Sequence, residues 1–183
     1  MTGLCDQRKE IYFNYFIKSL NNAAKNMDPH YFQIPVAGEG EDELYRERVY
    51  CYELYHQLRL ELGDSFPYKL YGEVDKSGHP IIREAKKPDF IVHEPGNMDN
   101  NLLIMEVKSI VGAKNENGLN TDLEKLRLFL DEYKYYRAIM LIYGSENGKL
   151  TDKIETKISE VKADNPDIRF AWHPSIKRGV YLI

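Results

Sequence analysis

Residues 87–109 read K-P-D-F-I-V-H-E-P-G-N-M-D-N-N-L-L-I-M-E-V-K-S. Two aliphatic, β-branched runs, Pro88 to His93 and Leu102 to Ile110, flank a segment from Glu94 to Asn101 whose Pro-Gly and Asp-Asn-Asn form a turn. The stretch therefore reads as a β-hairpin. Strand alternation puts Leu102, Ile104, Glu106 and Lys108 on one face of the second strand and Leu103, Met105 and Val107 on the other. Both faces are apolar for most of its length, which predicts a buried central strand that becomes charged only at its far end.

Closing the hairpin symmetrically about its loop pairs His93 with Leu102, Ile91 with Ile104 and Asp89 with Glu106, with Lys108 one step further along the same face. Carboxylates directly opposed on adjacent strands hold their Cβ atoms only about 5 Å apart and repel. A shared proton, the Lys108 ammonium or a divalent cation would offset that repulsion. Hard oxygen donors beside a lysine suit Mg²⁺ or Mn²⁺ best. The plainer alternative is an ion pair from Lys108 to one or both acids, serving stability alone. A register slip of one residue would remove the opposition altogether.

Pro88-Asp89, followed after a short hairpin by Glu106-Val107-Lys108, resembles the signature of the PD-(D/E)XK nuclease superfamily, the restriction-endonuclease-like fold. The resemblance implies an α/β protein whose αβββαβ core, a central mixed sheet flanked by helices, runs from about residue 41 to 144. Residues 1–40 would precede that core as a helix and loop, and 145–183 would extend the same single domain. It further implies Asp89, Glu106 and Lys108 as catalytic residues, with Asp89, Glu106, the Val107 backbone carbonyl and Glu47 as ligands of Mg²⁺ or Mn²⁺. Lys108, protonated beside two acids, would orient water or stabilise developing negative charge rather than act as a base. DNA is the commonest substrate of such enzymes, and a homodimer or accessory proteins would suit a chain with no visible specificity module. The alternative is a catalytically inactive module of the same fold that binds nucleic acid or a protein partner.

Upstream, residues 6–26 repeat Tyr12, Phe16, Leu20 and Ala23 at spacings of three and four, which predicts a helix, here an appendage to the rest. Asp28 to Asp42, with two prolines and two glycines, reads as a loop, and about Glu41 to Leu62 as a second helix. Glu47 falls within that helix's apolar stripe of Leu44, Cys51, Leu54, Leu58 and Leu62, with Glu43 close beside it as the reserve ligand. A carboxylate there is served either by the helix dipole or by a cation. Tyr68 to Asp75 is predicted as the first strand and Ile81 to Ala85 as extended, joined by a turn at 76–80. Glu73 and His79 read as solvated, and His93 as a partly buried strand residue.

Downstream, Val111 to Asn120 reads as a long Gly- and Asn-rich loop leading to a helix capped by Thr121-Asp122-Leu123-Glu124. The first turn of that helix would hang over the charged strand end, making Lys125 and Asp122 phosphate contacts or supports of the site. Arg137 to Tyr143 is an apolar run fit for a strand buried on both faces, parallel to its neighbour. A helix carrying Ile154, Ile158 and Val161 and strands at 168–173 and 180–183 complete the chain, with Trp172 packed.

Composition bounds these readings. With 183 residues, 43% hydrophobic and 30% charged, the chain is long enough for a full core. It contains neither a signal-peptide pattern nor about 18 consecutive apolar residues, which predicts a cytoplasmic protein with no membrane span. Cys5 and Cys51 and the five histidines lack metal-type spacing, which argues against zinc. The net charge of −4 runs against the basic footprint of nucleic-acid binding unless Arg83, Lys86, Lys87, Lys114, Lys125, Arg127, Lys177 and Arg178 gather on one face.

Overall fold

The computed structural model describes residues 2–35, 43–72 and 87–183, and over these the chain is α/β, a six-stranded mixed sheet flanked by helices. Its N-terminal half comprises α1 (Thr2–Lys25), α2 (Pro29–Phe32), β1 (Ile34–Pro35), β2 (Glu43–Leu44), α3 (Glu47–Leu62) and β3 (Lys69–Gly72). The hairpin of β4 (Phe90–His93) and β5 (Asn101–Ser109) follows, then α4 (Ile110–Ala113), α5 (Glu116–Asp131), β6 (Arg137–Tyr143), α6 (Asp152–Asp164), β7 (Ile168–His173) and β8 (Tyr181–Leu182). The sheet order is β3-β4-β5-β6-β7-β8. Its first three strands form an antiparallel meander, while β5, β6 and β7 run parallel. Among the described residues, no helix is long and apolar enough to cross a membrane.

The alternation of β6 explains the layers. Ile139, Leu141 and Tyr143 join one apolar cluster with α1 and α3, and Ala138, Met140 and Ile142 join another with α5 and α6. A strand with two apolar faces is stable only when both are covered, and these two helical layers cover it. Helix α1 is therefore no appendage. Its Phe16, Leu20 and Ala23 are fully buried, at a gain of about 1.5–3 kcal/mol for each of the two larger side chains. Its Lys9 and Asn21 donate to the carbonyls of Asp99 and Val180, tying the helix to the β4–β5 loop and to the residue before β8.

The hairpin register matches the sequence at Ile91–Ile104 and departs from it at the loop end, where His93 pairs with Asn101 rather than Leu102. Asn101 is the cause. Its side-chain Nδ2 donates to the buried Tyr133 carbonyl at 2.6 Å, and its own carbonyl accepts from Tyr136 N–H. That anchor makes Leu102 the extra residue of a bulge, and Leu102 packs in the α1 and α3 cluster with Leu103 instead of sharing the face of Ile104.

Three helix boundaries also differ from expectation. Glu43 and Leu44 pair with Pro35 and Ile34 as strand β2, so α3 starts at Glu47, six residues later than the apolar stripe suggested, and Leu44 is exposed. Within the expected 28–42 loop, Asp28 caps the short helix α2. Between β5 and α5 there is no long loop. Ser109 caps α4, and Asn115 caps α5, which begins at Glu116. Thr121 therefore lies inside α5, its hydroxyl donating to the Asn117 carbonyl. The expectations for 73–86, including Glu73, His79, Arg83 and Lys86, lie outside the described residues.

Candidate active site

The site forms where two ladders of β5 end at different points. Pairing with β4 stops at Met105–Phe90, whereas pairing with β6 continues to Ser109–Tyr143. Beyond Met105, one edge of β5 has no strand among the described residues. Asp89, in the bend before β4, fills it, its Oδ2 accepting the Val107 N–H at 2.7 Å. A strand residue sends its N–H and C=O to the same edge, so the Val107 carbonyl faces Asp89 as well.

Glu106 and Lys108 alternate onto the α5 side. Asp122 and Lys125, one helical turn apart, project toward them from the middle of α5, not from its first turn. Lys125 Nζ lies 2.8 Å from Glu106 Oε2, 3.5 Å from Asp122 Oδ1 and 3.3 Å from the Lys87 carbonyl to which it donates. Lys108 Nζ lies 2.6 Å from Asp122 Oδ2 and 3.7 Å from Glu47 Oε2. Glu47 stands in the first turn of α3, where Oε1 accepts from both the N–H and the hydroxyl of Ser109, at 3.0 and 3.2 Å. The structure thus brings Glu47, Asp89, Glu106, Lys108, Asp122 and Lys125 together. The side chain of Glu43 lies outside the described residues.

Among the described residues, four carboxylates here face two ammonium groups, and burial sharpens the imbalance. The Glu106 side chain is only 3% exposed, and its Oε1 is buried with no hydrogen-bond partner among the described residues. Burial, then the charge of Asp89, pushes the Glu106 carboxyl well above its ordinary range, against the opposing effect of Lys125. Asp89 is raised to about 6 by burial, although the Val107 N–H and Lys125 pull the other way. Both lysines move upward despite desolvation: Lys108 through Asp122, Glu47 and Asp89, and Lys125 through Glu106, Asp122 and Asp89. Both stay charged.

Glu106 Oε1 is a buried hard oxygen and Asp89 is close enough for its charge to act on Glu106, so these two acids and the Val107 carbonyl are the groups that could hold a divalent cation. Glu47 is turned to Ser109 and Lys108 instead. Among the described residues, no three His, Cys, Asp or Glu side chains converge into a metal-type group.

Ser109 and Gly112 escaped sequence reasoning. Gly112 N–H donates to Ser109 Oγ at 3.0 Å, and a Cβ at Gly112 would clash with Glu47 Oε1. The signal was a glycine four residues after the charged lysine, in a stretch that reads as a loop. Gly112→Ala is expected to push the Glu47 carboxylate off Ser109 and cost about 1–2 kcal/mol. A denaturation double-mutant cycle with Glu47→Ala checks this: once either change is made, the second should add little.

His93 sits half-buried against Tyr71, away from the acids. Lys114 pairs with Glu146 on the surface. A second polar cluster went unanticipated: His173, fully buried, shares a 2.8 Å hydrogen bond between its Nδ1 and the Tyr50 hydroxyl.

No family model matches this chain, and no match was found among curated proteins or solved structures.

Proposed function

We propose that the chain is a cytoplasmic, metal-dependent nuclease of the restriction-endonuclease-like kind that hydrolyses phosphodiester bonds, most naturally in DNA. The observation that carries this reading is the buried Glu106, whose Oε1 has no partner among the described residues, close to Asp89 and flanked by Lys108 and Lys125. A purely structural acid would gain nothing from leaving a buried oxygen unpaired. The element order α3-β3-β4-β5-α5-β6, with a meander followed by a parallel strand, supports the αβββαβ core that the signature implies.

Asp89, Glu106 and the Val107 carbonyl would hold Mg²⁺ or Mn²⁺, without Glu47, which is committed to Ser109 and Lys108. Bound there, the ion would supply charge neutralisation on the scissile phosphate and a water of lowered pKa. The chain's own residues do the rest. Asp89 is oriented by the Val107 N–H, which commits its Oδ2 and leaves Oδ1 as the oxygen for a metal. Lys108, held by Asp122, keeps a fixed positive charge beside the pair, suited to a phosphate oxygen or the attacking water. Pairing with β6 up to Ser109 holds the segment of β5 that carries Glu106, Val107 and Lys108.

The second reading, an inactive module that binds nucleic acid or protein, is favoured by one feature. Glu47, Lys108, Asp122, Lys125 and Glu106 already form an unbroken chain of ion pairs. The two are separated by incubating the protein with duplex, nicked, branched and single-stranded DNA and with RNA, in Mg²⁺, Mn²⁺ or EDTA. The nuclease reading requires cleavage that EDTA stops and that falls by about 10²-fold or more in Lys108→Ala. Binding without cleavage of any substrate would favour the inactive module.

A further inference from the structure

We propose that the Lys125 ammonium is the resident counter-cation of Glu106, and that it passes from Glu106 to Asp122 when a divalent cation binds. The inference rests on reading Asp89 and Glu106 as a cation site and adds how that site is kept in the metal-free protein.

An isolated buried carboxylate is strongly disfavoured, so something must stand against Glu106 when no metal does. Among the described residues, Lys125 is the charged group in hydrogen-bond contact with it, at 2.8 Å on Oε2. An ammonium and a divalent cation at the same carboxylate repel each other, so entry of the metal requires Lys125 to leave. The structure supplies its destination. Asp122 commits Oδ2 to Lys108 at 2.6 Å and leaves Oδ1 facing Lys125 at 3.5 Å. The Lys87 carbonyl, at 3.3 Å, holds the ammonium on the same side. A shift of about 1 Å therefore exchanges Glu106 for Asp122, within the reach of a flexible four-carbon stem. Lys108 cannot play this part, because its contacts are Asp122 and Glu47.

Competition of this kind has a defined signature. Removing Lys125 should weaken the metal-free protein and strengthen metal binding together, since the two are linked through the same carboxylate. The experiment is calorimetric titration of Mn²⁺ into the unsubstituted protein, Lys125→Met and Lys125→Gln, with thermal melts of each in EDTA and in Mn²⁺. Lys125→Gln keeps a donor for Glu106 and guards against a Met variant that does not fold. Lys108→Met removes the same charge without freeing Glu106 and controls for general electrostatics.

The expected result is a lower melting temperature in EDTA for both Lys125 variants, a Kd for Mn²⁺ at least about tenfold tighter, and a larger Mn²⁺-induced rise in Tm. Binding to the variants alone would support the proposal most strongly. If the unsubstituted protein binds Mn²⁺ and the Lys125 variants bind equally or more weakly, the proposal fails while the cation site stands. An equal gain in Lys108→Met also overturns it. If none of the proteins binds Mn²⁺, the proposal and the cation-site reading fail together. In the unsubstituted protein, the Lys125 side-chain amine resonance should shift on addition of Mg²⁺. An unmoved signal in a metal-bound protein would assign Lys125 a structural role only.

Discussion

Asp89→Asn is expected to yield a protein that is more stable than the parent without metal and inactive with it. The sign follows from the direction of the Asp89 shift. Its carboxyl titrates at about 6 in the folded chain against 3.8 in the reference state. Between those values the folded protein binds more protons than the unfolded one, so Asp89 loses stability as pH rises through the window. Above pH 6 the full cost is present, about 1–3 kcal/mol at roughly 1.4 kcal/mol per pKa unit. Asparagine keeps an acceptor for the Val107 N–H and removes the charge.

Chemical denaturation in EDTA should therefore show Asp89→Asn gaining stability over the parent at pH 8, with the gain shrinking toward pH 4. Saturating Mn²⁺ should close the gap, because the ion stabilises only the protein that binds it. Mn²⁺ binding should disappear, and any Mg²⁺-dependent cleavage should fall by at least about two orders of magnitude. A variant destabilised at pH 8 would instead mark Asp89 as an acid kept for structure. The physical source of the cost is burial together with the mutual repulsion of the half-buried Asp89 and the buried Glu106.

The second large effect lies in the buried pair of Tyr50 and His173 and has the opposite pH sense. Burial holds the His173 imidazole down at about 4, with backbone hydrogen bonding at Arg178 and Ser175 opposing it, against 6.5 in the reference state. Between pH 6.5 and 4 the unfolded chain takes up a proton that the folded chain refuses. Stability contributed by the neutral ring is complete above pH 6.5 and is lost as pH falls toward 4, by about 3 kcal/mol in all. Protonation would also break the fit of His173 to Tyr50, which joins the start of α3 to the end of β7.

Because Asp89 and Glu106 relax on acidification while His173 is strained, the two effects offset each other in the parent protein. Asp89→Asn removes part of the offset, so its stability should fall more steeply than the parent's between pH 6.5 and 4. His173→Phe should be less stable at pH 8, since the Tyr50 hydroxyl is left without its partner, and should lose that steep acid limb. Imidazole NMR signals of His173 should remain those of a neutral ring at pH 5.5. A charged ring at that pH would remove the basis of the prediction.

The strands and the two acids were legible in the sequence because each rests on a local pattern. The run at 137–143 is apolar at every second residue on both faces, and β6 spans those residues. The alternation of Glu106 and Lys108 on a strand sends both to one side, and the Ile91–Ile104 pairing holds. Local patterns were weaker at element ends. Leu44 fitted a helical stripe, but pairing of 43–44 with 34–35 claimed it for a strand. Thr121 to Glu124 fitted a capping box, but Asn115 already capped the helix. In each case a competing partner elsewhere in the chain decided the outcome, and a short motif carries no trace of that partner.

By itself, the sequence determined the α/β class, the hairpin, the buried parallel strand and the nearness of Asp89, Glu106 and Lys108, since these follow from the period-two alternation of side chains along a strand. Only the tertiary structure decided that Asp122 and Lys125 stand directly on Lys108 and Glu106, that Glu47 turns to Ser109, and that Glu106 keeps one oxygen unpaired among the described residues. Those facts depend on how α3 and α5 are docked against the end of β5. Docking is set by the summed packing of two apolar faces and by Asn101 anchoring the hairpin, interactions between residues far apart in the chain.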